Sequence, residues 1–244
     1  MELSIRLINR IKGAPRKQKA VAIALCLKYH CNRDSVIHNY NPNKISTLIG
    51  ISPNTFMVYF PLMLEMGLVR YDGANREHLV VCCMRSSHKS RNIDVHRINF
   101  KSYKEAYKGL RAFLALRVQK QKDYVRRLLQ LANNPHKGDD CKSARKKVKS
   151  LVRQGIIKGL TYVERGLSYK RIAKETGNCI KTAQSIIQYA VSKRWCKKET
   201  HFNPTYMRGI HFMECEGYTF TTHDYAYAVS ANTYTLSRSI KKCL

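Results

Sequence analysis

The chain is poor in acidic residues. Only 16 of its 244 residues are Asp or Glu, against 45 Lys or Arg, so the formal net charge at pH 7 is +29. So few carboxylates leave little for metal binding or acid–base catalysis, and we expect a protein without catalytic residues. A surplus of positive charge on this scale favours a polyanionic partner, such as DNA, RNA or an anionic membrane.

Other patterns that would indicate a particular class of protein are missing too. No apolar run reaches the ~18 residues of a membrane-spanning helix, and the charged N-terminal segment does not resemble a signal peptide. With 12 Gly in all, the chain has no glycine-rich loop that would bind phosphate. We therefore expect a cytoplasmic protein with no membrane partner.

The nine cysteines contain no Cys-x-x-Cys pair. Their odd number and scattered positions favour reduced thiols that pack as small apolar side chains. One grouping suggests zinc, namely Cys196, His201, His211 and Cys215, but its spacing matches no zinc-finger frame. We therefore expect neither a metal nor a cofactor.

One short frame does occur twice. Residues 45–55 read ISTLIGISPNT and residues 172–182 read IAKETGNCIKT, so Gly50 and Gly177 hold the same place in the frame, 127 positions apart. Gly between two short helices can take the unusual backbone angles of a tight turn. The frame predicts two helix-turn-helix units, in which the second helix of each pair lies in the major groove of DNA.

In the first helix-turn-helix, Ser52 is placed to cap the second helix and Pro53 to occupy its first position. We expect Pro61 to kink this helix about one turn back. The residues expected to face inward are apolar: Ile45, Leu48, Ile49, Phe56, Phe60, Met63 and Leu64. The residues left facing outward are Asn54, Thr55, Met57, Val58 and Tyr59.

In the second helix-turn-helix, Asn178 or Cys179 stands at the cap, where Asn would serve well and Cys poorly. The expected inward residues are Ile172, Ala173, Ala183, Ile186, Ile187 and Ala190. The expected outward residues are Ile180, Lys181, Thr182, Gln184, Ser185 and Gln188. Lys can bond guanine or phosphate, Gln can pair with adenine, and Ser or Thr can contact either. Before the turn, Lys170, Arg171 and Lys174 are placed to hold phosphates.

Each frame is followed, a few residues further along the chain, by a similar segment, LEMGLVR at residues 64–70 and VSKRWCK at residues 191–197. After the first, Asp72-Gly73 between apolar runs indicates a hairpin. Over residues 15–84 and 142–215 the chain resembles the winged helix-turn-helix proteins. The resemblance implies that each hairpin wing contacts phosphates or the minor groove, the second with its tip around residues 203–204. The wing residues would be Arg70, Arg76 and His78 in the first, and Lys197, Lys198, His201 and Arg208 in the second.

We expect a mainly α fold with small β-hairpin wings, in which tandem winged helix-turn-helix domains are joined by a long helix. The N-terminal winged-helix domain covers residues 1–84. A basic linker and a long helix over 105–131 fill residues 85–138. The second winged-helix domain covers residues 139–217, starting with a helix over 142–162 capped by Asp139-Asp140. A Tyr- and Thr-rich tail, residues 218–244, is expected to be strand or extended.

These features predict a protein that binds double-stranded DNA. Its two-unit architecture resembles that of plasmid and phage replication initiators, and it suits a transcription regulator equally. The alternative is a basic structural component of a phage particle or ribonucleoprotein. The first helix-turn-helix could instead dock a second copy of the chain or a replication or transcription protein. The aromatic tail could stack single-stranded bases, or its strands could cover the second domain.

Overall fold

The computed structural model describes residues 1–31, 34–72, 76–88, 91–131, 167–215, 218–229 and 232–243. The helix expected over residues 142–162 and its cap at Asp139-Asp140 lie outside these ranges. The described helices are α1 (Ile5–Ile11), α2 (Pro15–His30), α3 (Pro42–Ile49), α4 (Pro53–Glu65), α5 (Tyr103–Leu131), α6 (Tyr169–Thr176), α7 (Ile180–Ser192) and α8 (Arg238–Cys243).

Short strands form four small sheets among the described residues. The strands are β1 (Glu2–Ser4), β2 (Val36–Ile37), β3 (Val69–Asp72), β4 (His78–Val81), β5 (Asn92–Asp94), β6 (Cys196–Glu199), β7 (Phe202–Cys215), β8 (Tyr218–Val229) and β9 (Thr233–Leu236). The sheet orders are β1-β5, β2-β4-β3, β6-β9 and β7-β8. Pairing is antiparallel in β1-β5, β2-β4-β3 and β7-β8.

The chain divides into two compact units. Unit 1 comprises Met1–Leu116, Lys170–Trp195 and Leu236–Leu244, and unit 2 comprises Arg117–Tyr169 and Cys196–Thr235. These units differ from the domains expected from the sequence, because α7 and almost all of α6 belong with the first helix-turn-helix in unit 1. Specific contacts hold them there. The Gln18 side chain of α2 donates to the carbonyl of Thr176, and the Tyr189 hydroxyl of α7 donates to Glu105 of α5.

Helix α2 lies at the centre of unit 1. Its residues from Ala20 to Leu27 are all buried. α1, α3, α4 and β4 all contact this helix, so the stretch from Ala20 to Leu27 has no solvent face and needs no polar stripe. Burial raises the pKa of the Cys26 thiol to about 12, so this cysteine acts as a small apolar residue, as expected.

Residues 91–100 pack into unit 1 and do not form the expected linker. β5 pairs with β1, and Ile93, Val95, Ile98 and Phe100 are buried. α5 approaches this segment closely, because a Cβ added at Gly109 would lie 2.7 Å from Cγ2 of Ile98. A three-residue strand followed by irregular backbone is too short to show a hydrophobic period, so this segment resembles a linker when only its sequence is considered.

The first part of the expected tail, Tyr218–Val229, is the second half of a long hairpin in unit 2. β8 pairs with β7 over nearly its whole length, and β9 pairs with β6. The expectation of extended structure is therefore confirmed for residues 218–229 and 233–236, but it is wrong for Arg238–Cys243, which form α8. The expected wing tip at residues 203–204 is wrong, since Asn203 and Pro204 lie within β7 opposite Ala228 and Tyr227. The two strands pair as far as Cys215 and Tyr218, so the end of this hairpin lies far along the strands from residues 203–204.

Candidate nucleic-acid interface

The two helix-turn-helix segments have the same element bounds when shifted by 127 positions. α3 corresponds to α6, and α4 corresponds to α7, residue for residue at both ends. Gly50 and Gly177 both take left-handed backbone angles, with φ of 73° and 71°. Each turn is closed by the same backbone bond, from the Ile51 N–H to the Ser46 carbonyl and from the Asn178 N–H to the Ala173 carbonyl. Both predicted turns are thus confirmed as helix C-terminal motifs.

The ends of α4 and α7 repeat as closely. The Leu68 N–H bonds to the Met63 carbonyl, and 127 positions later the Trp195 N–H bonds to the Ala190 carbonyl. The backbone φ is positive at Gly67 and at Arg194, which correspond. α4 then leads into β3 and α7 into β6. The repeat therefore extends from the first helix of each pair to the strand that follows the second.

The first helix-turn-helix has the geometry expected for its class. α3 and α4 are bent by 101° at the three-residue turn, within the usual range of about 90–120° for such pairs. The Ser52 hydroxyl accepts the N–H of Thr55 at 3.1 Å, with Pro53 at the first helical position, so the predicted cap is confirmed. α4 continues through Pro61 to Glu65.

The core side of this helix pair departs from expectation at one position. Ile45, Ile49, Phe56, Phe60 and Met63 are buried as expected, and Leu64 is half-buried. Leu48, however, is 54% exposed, and Ser46 is buried in its place. The Ser46 hydroxyl donates to the Asn43 carbonyl at 3.0 Å, which satisfies its polar group and allows a serine to face the core.

The outward face of α4 is smaller than the sequence indicates. Asn54, Met57 and Val58 are exposed. Thr55 is half-buried, and its hydroxyl lies 2.8 Å from that of Ser52. Tyr59 is half-buried as well, with the Lys19 ammonium of α2 5.7 Å from its ring centroid. Its ring is therefore only partly exposed, because the Lys19 side chain packs beside it.

On the β3–β4 hairpin, Arg70 and Arg76 are exposed and His78 is half-buried. The Arg76 guanidinium lies 5.5 Å from the centroid of the Tyr71 ring, a cation–π distance. Residues 73–75, which include the Gly of the predicted Asp-Gly turn, lie outside the described ranges, but the paired strands on either side confirm the hairpin.

The second helix-turn-helix has the predicted inward stripe. Ile172, Ala173, Ala183, Ile186, Ile187 and Ala190 are all buried. Among the described residues Cys179, at the cap, makes no side-chain bond to the backbone N–H groups of α7. Its sulfur lies 3.2 Å from the Thr182 hydroxyl, and this hydrogen bond is the main reason that the pKa of Cys179 falls below its usual value.

The outward face of α7 is close to what the sequence predicts. Thr182 is half-buried beside Cys179, whereas the other five expected residues are exposed: Ile180, Lys181, Gln184, Ser185 and Gln188. Four of these five carry polar or charged groups. The face thus offers amide, hydroxyl and ammonium groups along one side of a helix that is 13 residues long.

Helix α6 adds three exposed cations, Lys170, Arg171 and Lys174. The Arg171 guanidinium lies 2.7 Å from the Glu175 carboxylate, which also meets the Lys12 ammonium at 2.5 Å. The hydrogen bond from Lys12 lowers the pKa of Glu175, so this carboxylate stays ionised and offsets part of the local charge. Within the described ranges Lys170, Lys174 and Lys181 have no ion-pair partner, so their charges remain available to an anionic ligand.

A groove of about 290 Å³ lies between α5 and α7, lined in part by Lys108, Arg111, Ser185 and Gln188. The Tyr189 hydroxyl donates to Glu105 at 3.1 Å and fixes α7 against α5. Sequence reasoning missed Lys108 and Arg111. The available signal was their three-residue spacing, which puts both cations on one face of the long helix.

The remaining expected contacts lie in unit 2. Lys197 is exposed, and its ammonium is 3.1 Å from Glu199. Lys198 is half-buried, 5.9 Å from the centroid of the Tyr169 ring, and His201 meets the Thr233 hydroxyl at 2.7 Å. Arg208 is exposed beside Gly209, whose N–H donates to Asp224. These residues therefore belong to β6, to β7 and to the segment that joins them in unit 2.

Comparison of the chain with protein-family models, curated proteins and solved structures finds no match. Function must therefore be inferred from the residues themselves. Over the described residues no single helix is long and apolar enough to cross a membrane, and α3 with α4 reaches that length and composition only as a pair bent by 101°.

Proposed function

We propose that the chain is a cytoplasmic, non-enzymatic protein that binds double-stranded DNA, with α7 as the helix that enters the major groove. The observation that carries this proposal is the exposed face of α7, where Lys181, Gln184 and Gln188 stand together. Lys and Gln are among the side chains that read guanine and adenine edges in the major groove. The net charge of +29 supplies the attraction to phosphates.

The internal repeat supports assigning this role to the second helix-turn-helix. At the four positions where α7 has Lys181, Gln184, Ser185 and Gln188, α4 has Asn54, Met57, Val58 and Pro61. One copy of the frame thus presents base-reading and phosphate-binding groups, and the other presents a largely apolar face. A face with Met57 and Val58 about half exposed suits a protein partner better than a phosphate backbone.

The helices that precede the two turns also differ, because the one in the second copy carries more cations. α6 has Lys170, Arg171 and Lys174 where α3 has Asn43, Lys44 and Thr47. In helix-turn-helix proteins the first helix crosses the DNA backbone, so cations there would hold phosphates on both sides of the groove. Lys108 and Arg111, beside Ser185 and Gln188, would extend the same positive surface.

Selection of bound sequences from a random duplex pool tests the proposal. Enrichment of a motif supports a sequence-reading protein, either a replication initiator or a transcription regulator. Repeated copies of the motif at a replication origin would favour the initiator, and a single copy at a promoter would favour the regulator. Binding without any enriched motif would contradict the proposal and favour the structural component of a particle.

Variants of α6 and α7 locate the contact. Gln184→Ala or Gln188→Ala should weaken the free energy of binding to the selected duplex by about 1–3 kcal/mol. Either change should also relax the sequence preference of the protein at one base pair. Lys170→Ala should weaken binding to all duplexes alike. The matched control is Lys101→Ala, which removes an exposed cation from a loop and should leave sequence preference unchanged. If the Gln variants lose affinity for the selected duplex and for random DNA by the same factor, α7 does not read bases in the major groove.

The salt dependence gives a further measure. Each phosphate contact should contribute a slope of about −0.9 to the plot of log K against log salt concentration. Roughly six contacts predict a slope steeper than about −5 in an anisotropy titration. A flat response would show that the positive charge does not drive binding.

A further inference from the structure

Three potential metal ligands from distant parts of the sequence meet in unit 1. Asp94 ends β5, His96 follows two residues later, and Cys243 comes from α8. Nδ1 of His96 lies 2.6 Å from Oδ2 of Asp94 and 3.8 Å from the sulfur of Cys243. One donor atom from each of the three residues lies within 4.8 Å of the other two.

The arrangement of Asp94, His96 and Cys243 does not fit a catalytic triad, in which a histidine activates a nucleophilic thiol. Such a triad needs the thiol at one imidazole nitrogen and the carboxylate at the other, so that a proton passes across the ring. Here the thiol and the carboxylate both face Nδ1. Three potential donor atoms therefore lie around one shared region, as the binding of a cation requires.

We propose that Asp94, His96 and Cys243 form a zinc site. Zn²⁺ accepts carboxylate oxygen, imidazole nitrogen and thiolate sulfur together, at distances of about 2.0–2.3 Å. Thiolate and imidazole in one set favour zinc over magnesium or calcium, which prefer oxygen ligands alone. Three protein ligands leave the fourth tetrahedral position to water or another small ligand.

The surroundings of the three residues suit such a site. The pairing of β5 with β1 places Asp94 opposite Glu2. The backbone N–H of His96 donates to Oδ1 of Asp94 at 2.9 Å, so Oδ2, which lies beside Nδ1 of His96, is the oxygen that would bind the cation. Cys243 is 6% exposed, whereas His96 and Asp94 are 48% and 42% exposed at their side chains. The sulfur would thus be shielded by protein, and an ion would enter past the imidazole.

Binding would change the protonation of two groups. The thiol of Cys243 now bonds to the carbonyl of Ser239 at 3.1 Å, and zinc would displace the thiol proton to solvent and bond the thiolate. Any proton shared between Asp94 and Nδ1 of His96 would be released as well. The site would then tie α8 to the segment after β5, independently of whether α7 binds DNA.

Cobalt titration of the full chain, freed of metal by a chelator, tests the proposal. One equivalent of Co²⁺ should produce a thiolate-to-cobalt charge-transfer band and the ligand-field bands of a four-coordinate ion, both removed by excess Zn²⁺. Cys243→Ser should abolish the charge-transfer band, and His96→Ala should weaken binding by about tenfold or more. Cys83→Ser and His88→Ala change exposed residues of the same types and should leave the spectrum unaltered.

An undiminished charge-transfer band in Cys243→Ser, or no stoichiometric binding by the unmodified chain, would overturn the site. X-ray absorption of the unmodified chain with one equivalent of zinc covers the case in which a variant fails to fold. One sulfur neighbour at about 2.3 Å, with nitrogen and oxygen neighbours filling the rest of the shell, is the expected result. Two or more sulfur neighbours would place the ion elsewhere. DNA binding is not a readout in either experiment, so the zinc site and the DNA-binding proposal can fail separately.

Discussion

The side chain of Gln18 is bonded to the main chain of Thr176, 158 positions away, and both residues are fully buried. The same amide also donates to the carbonyl of Ile11 at 3.1 Å. One buried side chain thus joins the end of α1, the start of α2 and the end of α6. It is among the contacts that place the second helix-turn-helix in unit 1.

Replacing Gln18 should therefore loosen that junction. Gln18→Leu keeps the bulk of the side chain but removes a donor from two buried carbonyls. Each of these retains one other donor, the Ala14 N–H for Ile11 and the Asn178 amide for Thr176. We expect a loss of about 1–2 kcal/mol in the free energy of unfolding, measured by urea denaturation. Gln188→Leu, on the exposed face of α7, should stay within about 0.5 kcal/mol, and an equal loss there would refute the role given to Gln18.

The two turn glycines should differ in their tolerance of alanine. Both have positive φ, so Gly50→Ala should cost about 1–2 kcal/mol from backbone strain, with no described atom within 4 Å of the added Cβ. At Gly177 the added Cβ would lie 2.4 Å from the carbonyl oxygen of Gly13. Because backbone cannot swing aside, we expect Gly177→Ala to cost at least about 3 kcal/mol. Thermal unfolding of both variants compares them, and equal losses would mean that the Gly13 contact is not maintained.

The helix caps should respond in opposite directions. Ser52→Ala removes the bond to the Thr55 N–H and should destabilise the protein by about 1 kcal/mol. Cys179→Ser places an oxygen acceptor at the equivalent position of α7 and should stabilise it by about 0.5–1 kcal/mol. Denaturation midpoints measure both effects. A destabilising Cys179→Ser would show that the thiol contact with Thr182 outweighs the cap.

Glu175 should make stability depend on pH in the acid range. Its folded-state pKa lies below the ordinary 4.5, chiefly because Lys12 donates a hydrogen bond to it. A lowered folded pKa means that the unfolded state takes up its proton first as pH falls. The stabilisation is therefore complete above about pH 4.5 and is lost as pH falls through the folded-state value.

Glu175→Gln should accordingly be less stable near neutral pH and lose less stability on acidification than the unmodified chain. Urea denaturation across the acid range measures this change in slope. Glu65→Gln, at the exposed end of α4, is the matched control and should follow the unmodified chain. Parallel curves for Glu175→Gln and the unmodified chain would contradict the importance of the Lys12 contact.

The features that sequence predicted correctly are local ones. A left-handed turn at Gly50, a cap at Ser52 and the buried stripe of α7 each depend on residues within a few positions, so composition and spacing are sufficient to indicate them. The same reasoning failed at Leu48 because Ser46 satisfies its hydroxyl within the helix and can be buried. It did not indicate that Tyr59 is half-buried, because the neighbour of its ring, Lys19, comes from another helix.

The tertiary structure decided how the pieces are grouped. The repeated frame, its two glycines and the surplus of positive charge are properties of the sequence alone. Three other features depend on contacts between residues far apart in the chain. Gly177 packs on Gly13, residues 91–100 enter the core, and β8 completes the hairpin with β7. Such contacts form only where burial and hydrogen bonding offset the cost of closing long loops, and no local pattern records which distant partner achieves this.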